Sequence, residues 1–431
     1  MVGVIITLIA SVAFGREEIG TWVQHIRPTA VHKLLENISP EGTVAGTVVA
    51  SPSRNHPDYF YHWIRDAGLV MDVVVSLYEK EKDPQTKQRL EKVIFDFLDL
   101  TKRQQQMPNL SGGVGEPKFL VDGTPYMGPW GRPQDDGPAI RAFVYAKLAN
   151  IWINEGKEWL VRERLYDGTW YSVAKVDLEY VSHHWRNTCV DLWEEVRGHH
   201  FFTRMVQRRS LLEGAELARR MGDNAAADWY ESQGHAMSAE IERHWDSHRG
   251  YIQTTLKWVD GIPYKRSGLD TGVILGVIHG QTKYPLFTET DGRVLATVHK
   301  IREAFKNIYV INHQGHRGVA LGRYPEDRYT GYGDGEGNPW FLTTHAVAEV
   351  LYRAARGFER MGRIEVTTEN LKFFQSLNMK DAWPGKIYSY DKNPHGFGTA
   401  VARMQQLADD YMAVSQFHMD DHGSMAEQMN R

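Results

Sequence analysis

Apolar positions recur at helical spacing over several long stretches of this chain. They fall at i, i+3, i+4, i+7 and i+8 within 90–98, and comparable sets occupy 140–151 and 347–358. The stretches 211–221 and 225–245 have Ala-rich faces, which predict a further pair of packed helices. No comparable set of alternating strand patterns is present. The pattern favours an all-α fold, an α/α toroid, over an α/β fold.

The segments between these stretches are rich in Gly, Pro and aromatic residues. The segment 42–50 predicts a loop or short strand, and 55–58 predicts a turn. Gly and Pro recur too often in 128–138 for the interior of a helix, so a rigid loop is expected there. The segment 331–337 holds four glycines but lacks the lysine of a phosphate-binding loop, which favours a flexible loop over a nucleotide site. Three residues are expected between helices: Pro84, Gly222 and Gly362.

Composition narrows the class of protein. The 431 residues are 42% apolar and 24% charged, with 13 Trp and 20 Tyr, as expected for a globular protein rich in aromatics. The formal net charge of −4 gives no reason to expect nucleic acid or an anionic membrane as a partner. Cys189 is the only cysteine, so no intrachain disulfide can form. We interpret it as a buried apolar side chain, since no matching base for a nucleophile is identifiable.

The chain begins with an uncharged apolar run, Val2–Phe14, which is too short to span a bilayer. Small residues at Ser11 and Ala13 have the spacing of a signal-peptidase site, so we predict a signal peptide at 1–13. The alternative is a plain N-terminal helix. Two sequons would accept N-linked glycans on a secreted chain, at Asn37-Ile38-Ser39 and Asn109-Leu110-Ser111.

The stretch Asp191–Val196 is the strongest candidate for chemistry. Glu194 and Glu195 are adjacent and follow Trp193 in a run that is otherwise aromatic and apolar. Such neighbours raise the pKa of a carboxylic acid, and a general acid needs a raised pKa. The alternative for a bare Glu-Glu pair is a solvated helix face.

A second candidate is Tyr59–Gly68, where Arg65 and Asp66 follow five aromatic residues. The pair is either a buried structural ion pair or a binding site. The chemistry fits a sugar clamp, because Asp66 can accept from and Arg65 donate to vicinal hydroxyls while an aromatic ring covers an apolar sugar face.

Asp191–Val196, followed by Phe201-Phe202-Thr203, resembles the signature segment of the glucoamylases, glycoside hydrolase family 15, with the low-cysteine yeast-type members most similar. Further segments resemble the family in the expected order: 50–53 with 59–68, 130–141, 322–327 with 337–342, and 423–428. The resemblance implies an (α/α)6 barrel with the cleft at one end. This chain departs from the family at Asp135, where members commonly carry Arg.

The resemblance also assigns roles. Glu194 would be the general acid and Glu427 the general base, while Glu195 would bind sugar. From the residues alone, a Glu four positions from the last residue is expected to be a frayed surface group. The implied substrate-binding residues are Tyr59, Trp63, Arg65, Asp66, Tyr126, Trp130, Asp191, Trp193, Glu195, Arg323, Asp327 and Trp340. Asp270, in a loop resembling one beside the family's cleft, is either a cleft residue or a helix N-cap.

The implied activity is hydrolysis of α-1,4-glucosidic bonds from the non-reducing ends of starch, glycogen or maltodextrins, releasing β-glucose by inversion. No metal or organic cofactor is implied, and the expected partner is the α-glucan itself, bound by a monomer. The expected location is outside the cell or in a compartment of the secretory pathway.

Residues 14–431 are expected to form a single catalytic domain that lacks the family's last barrel segment and has no starch-binding domain. One alternative is a catalytically impaired maltodextrin-binding relative, if that shortening leaves the barrel open and lets Glu427 fray. Another is a different toroidal glycosidase, such as a trehalase or a glycoside phosphorylase.

Overall fold

Helices carry most of the chain. The computed structural model describes residues 18–313 and 318–431, so the predicted signal segment 1–13 lies outside the described residues. The α-helices of the described part are α1 (Ile19–Glu36), α2 (Ile64–Lys80), α3 (Pro84–Gln104), α4 (Asp136–Asn154), α5 (Glu158–Arg164), α6 (Val173–His184), α7 (Phe201–Arg220), α8 (Asn224–Glu242), α9 (Gly272–His279), α10 (Gly292–Phe305), α11 (Phe341–Met361), α12 (Leu371–Ser376) and α13 (Pro394–His418), with a short 3-10 helix at Val310–His313.

These helices form two layers. The inner layer is α2, α4, α7, α9 and α11, and each packs against the next in that order. The outer layer alternates with it along the chain: α3 packs on α2, α6 on α4 and α7, α8 on α7, α10 on α9, and α13 on α11. The prediction of an all-α toroid is confirmed. Within the described residues no helix combines the length and apolarity needed to cross a bilayer.

The helices predicted from the apolar spacing are confirmed. The three periodic stretches lie within α3, α4 and α11, and the Ala-rich pair corresponds to α7 and α8. Pro84 lies in the first turn of α3 rather than between helices, because proline lacks only an amide that is unused there. Gly362 ends α11 in the left-handed conformation, with a φ of 63°.

The loop expected over 128–138 is shorter than predicted. Helix α4 begins at Asp136, so Gly137 and Pro138 lie in its first turn. Proline is compatible with that position for the same reason as Pro84, and Gly137 packs against Ile64 with no room for a Cβ atom. As predicted, Cys189 is buried, and burial raises the pKa of its thiol.

In the part of the chain that the structure describes, nine short strands form four small antiparallel sheets between the helices. They are β1 (His62–Trp63) with β2 (Lys118–Phe119); β3 (Cys189–Val190), β4 (Val196–His200) and β7 (Thr255–Gly261); β5 (Trp245–Asp246) with β6 (Tyr251–Ile252); and β8 (Arg363–Glu365) with β9 (Ile387–Ser389). Strand β1 leads directly into α2, and β4 leads directly into α7. Arg65 and Asp66 therefore lie where the inner helix α2 begins, and Asp191–Glu195 precede the strand that enters the inner helix α7.

Candidate active site

The segment Asp191–Glu195 is the turn between β3 and β4, not a helix as the solvated-face interpretation assumed. The Asp191 carboxylate fixes the turn by accepting the amides of Glu195 at 2.7 Å and Val196 at 3.0 Å. Its other oxygen contacts Lys265 Nζ at 3.1 Å. Burial opposes ionisation, but Lys265 and the two amides hold the pKa of Asp191 below its ordinary value. Asp191 therefore shapes the turn from a buried position rather than facing the cleft.

Lys265 extends this anchor to a second element. Its ammonium pairs with Asp270 at 2.7 Å as well as with Asp191, and all three side chains are buried. The Asp270 carboxylate also accepts the indole N–H of Trp193 at 3.0 Å and the amide of Gly272 at 2.6 Å. Asp270 thus supports the first turn of α9 and orients a tryptophan of the site from a buried position. The N-cap of α9 is Thr271, so the N-cap interpretation of Asp270 is wrong by one residue.

Glu194 adopts the left-handed backbone conformation, with a φ of 67°, which is uncommon for a residue with a side chain. Its Oε1 accepts three N–H groups, from Trp63 and Trp130 at 3.0 Å each and from Gln134 at 2.9 Å. Arg65 Nη2 lies 3.6 Å from the same oxygen. No hydrogen bond within the described residues reaches Oε2. Since Oε1 is surrounded by donors, Oε2 is the oxygen that can carry a proton.

Glu195 is directed to a different set of partners. Its carboxylate contacts Arg323 Nη2 at 2.7 Å and accepts the hydroxyl of Tyr324 at 2.7 Å. Burial raises the pKa of Glu195, and Arg323 partly offsets that effect. Asp327 holds Arg323 through two contacts of 2.8 and 2.6 Å. The two adjacent glutamates therefore have separate environments, as the sequence interpretation required.

Arg65 and Asp66, the predicted sugar clamp, lie in the first turn of α2. Arg65 is fixed by Gln134 Oε1 at 2.8 Å and Asp136 Oδ2 at 3.1 Å. Asp66 remains 38% exposed, and its nearest charged partner is Arg65 at 3.8 Å. The arginine is thus held by the protein, while the aspartate carboxylate is open to the cleft.

Aromatic side chains form one wall beside the Glu194 carboxylate. The ammonium of Lys118 lies between 3.6 and 4.5 Å from the ring centres of Tyr61, Trp63, Tyr126 and Trp130. Lys118 is buried, and burial lowers its pKa to about 8. The wall brings the predicted residues Trp63, Tyr126 and Trp130 together around a buried cation.

A second group of rings surrounds the Arg323 guanidinium. The centres of these rings lie 5.2–5.5 Å from the guanidinium carbon, and they belong to Trp193, Tyr324, Tyr329 and Trp340. Trp193 and Trp340 also contact each other edge to face, with centres 5.6 Å apart. Glu195, Arg323 and the two tryptophans therefore form one unit next to the Glu194 turn.

Glu427 lies at the surface, as its position in the chain predicted, but its carboxylate is held by hydrogen bonds rather than frayed. Its Oε2 accepts the hydroxyl of Tyr59 at 3.1 Å and the amide of Gln428 at 3.0 Å. Much of the Glu427 side chain faces solvent. The protein around the carboxylate nevertheless raises the pKa of Glu427 by partial burial, and the hydrogen bonds from Gln428 and Tyr59 oppose that rise. Tyr59 also hydrogen-bonds to Tyr329 through their hydroxyls.

The backbone after Glu427 is held against the start of α11. Gln428 forms a β-bridge with Trp340, and its side-chain oxygen accepts Asn338 Nδ2 at 2.8 Å. The backbone amide of Met429 donates to Pro339 O at 2.7 Å, and the Met429 side chain is buried. Fraying of Glu427, which the binding-protein alternative required, is therefore not observed.

Sequence reasoning missed several residues that shape this site. Gln134 and Asp136 lay within a segment noted for its loop, but neither was given a role. The buried lysines Lys118 and Lys265 were also given no role, since part of their partners are distant in the chain: Tyr61 and Trp63 for Lys118, and Asp191 for Lys265. Tyr329, whose hydroxyl contacts that of Tyr59, was given no role either.

Comparisons with known proteins agree with this geometry. The family model "Glycosyl hydrolases family 15" matches residues 30–431. A glucoamylase of Blastobotrys adeninivorans is 38% identical over 92% of this chain, which spans 65% of that relative's length. A probable glucoamylase of Schizosaccharomyces pombe is 35% identical, with 95% of this chain and 86% of the relative aligned.

Solved structures give the same result. A glucoamylase from Saccharomycopsis fibuligera superposes with a TM-score of 0.86 at 30% identity, covering 97% of this chain and 91% of that one. The family 15 glucoamylase from Hypocrea jecorina also gives 0.86, at 32% identity, covering 95% and 67%. On the family match and these similarities, the chain belongs to the glycosyl hydrolases of family 15.

Proposed function

We propose that this chain is an exo-acting glucan 1,4-α-glucosidase. It removes glucose from the non-reducing ends of starch, glycogen or maltodextrins and releases β-D-glucose by inversion. The observation that carries the proposal is that two neighbouring aromatic side chains each donate a hydrogen bond to one of the two carboxylates. Trp63 donates to Glu194 and Tyr59 to Glu427, and the two rings lie 6.2 Å apart, edge to face.

Glu194 is the proposed general acid. A protonated Oε2 donates to the leaving glycosidic oxygen, while the three N–H groups on Oε1 keep the carboxyl group in a fixed orientation. The same donors stabilise the carboxylate that remains after the proton has been transferred. Trp63, Trp130 and Gln134 therefore position the acid both before and after the step.

Glu427 is the proposed general base. In its ionised form it takes a proton from a water molecule that attacks the opposite face of the sugar ring. An inverting glycosidase needs about 6.5–9.5 Å between its two carboxyl groups to leave room for this water. The hydroxyl of Tyr59 orients the base and links it to the wall that carries the acid.

Arg65 and Asp66 are proposed to hold the terminal glucose by donating to and accepting from neighbouring hydroxyls. Glu195 and Arg323 are proposed to bind the next sugar. Nη1 of Arg323 has no hydrogen-bond partner within the described residues, because Asp327 and Glu195 occupy the other donors. The tryptophans Trp63, Trp130, Trp193 and Trp340 supply apolar faces for the sugar rings.

Secretion and a monomeric state are parts of the same proposal. Secretion rests on the predicted leader at 1–13 and on the sequons. Of the two sequon asparagines, Asn109 uses its side-chain amide to donate to the carbonyls of Met107 and Gly113, at 3.2 and 3.0 Å. Asn37 makes one longer contact, 3.4 Å to Lys33 O, but its sequon is directly followed by Pro40, which disfavours glycosylation there.

The test is glucose release from maltotriose, with the anomer read by NMR at early times. The parent chain is expected to release β-glucose. Glu194→Gln and Glu427→Gln are each expected to lose about 10²- to 10⁴-fold in kcat while maltose binding persists. Glu158→Gln, on α5 with its side chain 53% exposed, is the matched control and should match the parent. α-Glucose as the first product would exclude the inverting mechanism.

A further inference from the structure

Asp135 is a buried carboxyl group with no cation beside it. Its side chain is 1% exposed, and the hydroxyl of Tyr180 donates to Oδ1 at 2.8 Å. No Lys, Arg or His among the described residues lies within ion-pair distance of it. An isolated carboxylate in such a place is costly, whereas the neutral acid is not. Burial raises the pKa of Asp135 to about 7.

The groups that face Asp135 do little to favour its charge. On α4 the neighbour is Asp136, a like charge, and on α6 it is Tyr180, whose own pKa burial raises. Strand β3 contributes the neutral thiol of Cys189. Strand β4 contributes the single favourable charge, Arg197, which lies beyond ion-pair distance and pairs with Asp260 at 3.6 Å.

The residues on either side of Asp135 hold the catalytic acid and the sugar clamp. Gln134 donates to Glu194 at 2.9 Å and accepts from Arg65 at 2.8 Å. Asp136 accepts from Arg65 at 3.1 Å, and its other oxygen is buried without a partner among the described residues. The segment 134–136 thus carries two buried aspartates with one arginine to balance them.

We propose that Asp135 is a positioning residue for the sugar site and acts in its neutral form. The proposal rests on the function proposed above. The neutral side chain anchors the 134–136 segment to Tyr180, so that Gln134 and Asp136 keep Arg65 and Glu194 in place. As pH rises, Asp135 releases its proton to solvent. The resulting carboxylate repels Asp136 and is unfavourable without hydration, so the 134–136 segment loosens and sugar binding weakens.

The first experiment measures the charge state without relying on activity. Urea unfolding is followed for the parent, Asp135→Asn and Asp228→Asn at about pH 5 and about pH 8. The folded parent keeps a proton that the unfolded chain has lost, so its stability falls as pH rises from the ordinary Asp pKa through the folded one. Asp135→Asn should show a smaller fall. Asp228, a surface residue 76% exposed, is the control and should behave as the parent.

The second experiment asks whether this charge reaches the site. Maltose affinity is measured by calorimetry at the same two pH values in a Glu194→Gln background, where the catalytic acid no longer titrates. We expect affinity to fall about tenfold between them, and less than about twofold once Asp135→Asn is added. Tyr180→Phe removes the anchoring hydrogen bond itself, which also favours the charged form of Asp135. It should therefore weaken maltose binding at both pH values and move the remaining loss of affinity to higher pH, and it serves if the Asn variant does not fold.

Different results would overturn the role of Asp135 and the proposed hydrolysis. Parallel affinity profiles with and without Asp135→Asn would overturn the proposal, even if the unfolding profiles differ, because Asp135 would then be a buried acid that does not position the site. Parent chain that binds maltose but releases no glucose would overturn the proposed hydrolysis, while both arms of this test would still be measurable.

Discussion

The two carboxylates of the site are held in contrasting ways. The arm of the proposed acid, called the acid arm and defined as Asp191–Glu195, is a hairpin turn fixed by the buried ions Asp191, Lys265 and Asp270. The arm of the proposed base, called the base arm and defined as Glu427–Arg431, lies along the start of α11 through one β-bridge, neutral hydrogen bonds and, at its end, the exposed ion pair of Arg431 with Glu336. One arm belongs to the core of the fold, and the other is attached to its surface.

Because of this difference, substitutions in the two arms should affect stability and activity differently. Buried ions are costly when a partner is removed, because the remaining charge cannot reach water. Hydrogen bonds at the surface are replaced by water at little cost. Changes to the acid arm should therefore lower both stability and activity, whereas changes to the base arm should lower activity with little loss of stability.

The largest expected effect is that of Asp191→Ala. The substitution leaves Lys265 with Asp270 alone and removes the acceptor of the Glu195 and Val196 amides. We expect a loss of about 3–5 kcal/mol in the free energy of unfolding. Loss of the turn geometry should lower kcat by about 100-fold or more. Urea unfolding and glucose release measure the two effects.

Asp191→Asn is the matched variant, since its amide oxygen still accepts both backbone amides while the charge opposite Lys265 is lost. It should lie between the parent and the Ala variant in both measurements. Equal stability of the Ala and Asn variants would show that the acceptor oxygen does not hold the turn, and the contrast between the arms would fail.

The fold was more predictable from the sequence than the site. Helical spacing is a local property, so 90–98 and 347–358 could be assigned from their own residues. Asp191–Val196 could not, because the hairpin turn depends on Lys265, more than seventy positions away in the chain. No local pattern reports a left-handed residue such as Glu194 that is held by distant contacts.

Glu427 is a second residue whose environment could not be predicted from its local sequence. Its position in the chain predicted a frayed side chain, and only the resemblance to a family indicated otherwise. The contacts that hold the segment come from Tyr59, Asn338 and Pro339, which are distant in sequence. Lys118 was missed for a related reason, since its aromatic partners come from two separate segments.

A smaller and more specific effect is expected from Tyr59→Phe. Burial raises the pKa of Glu427, and the hydrogen bonds from Gln428 and Tyr59 lower it. Removing the Tyr59 hydroxyl should therefore raise that pKa further. Since the base must be ionised, the acid limb of kcat/KM should move to higher pH by about half a unit, with the alkaline limb unchanged.

Tyr329→Phe is the control for this shift. Tyr329 hydrogen-bonds to Tyr59, but none of the hydrogen bonds in the described part of the chain joins it to Glu427. Its removal should move the acid limb less than Tyr59→Phe does. An unchanged acid limb in Tyr59→Phe, measured over the full pH–rate profile, would show that Glu427 is not the group that titrates there.

The smallest effect expected is that of Arg431→Ala, which tests the base arm at its far end. Arg431 donates to Glu336 O at 2.7 Å and Ile308 O at 3.0 Å, and it pairs with the Glu336 carboxylate, which is 82% exposed. An exposed pair contributes at most about 1 kcal/mol, so the unfolding midpoint should stay near that of the parent. The Met429 amide, bonded to Pro339 O, should exchange faster with deuterium, and kcat should fall about two- to fivefold because Glu427 is held less firmly.

Arg363→Ala, at an exposed ion pair on β8, is the control and should leave the exchange rate of the Met429 amide and kcat unchanged. A loss of stability as large as that of Asp191→Ala would mean that the base arm, too, is part of the core.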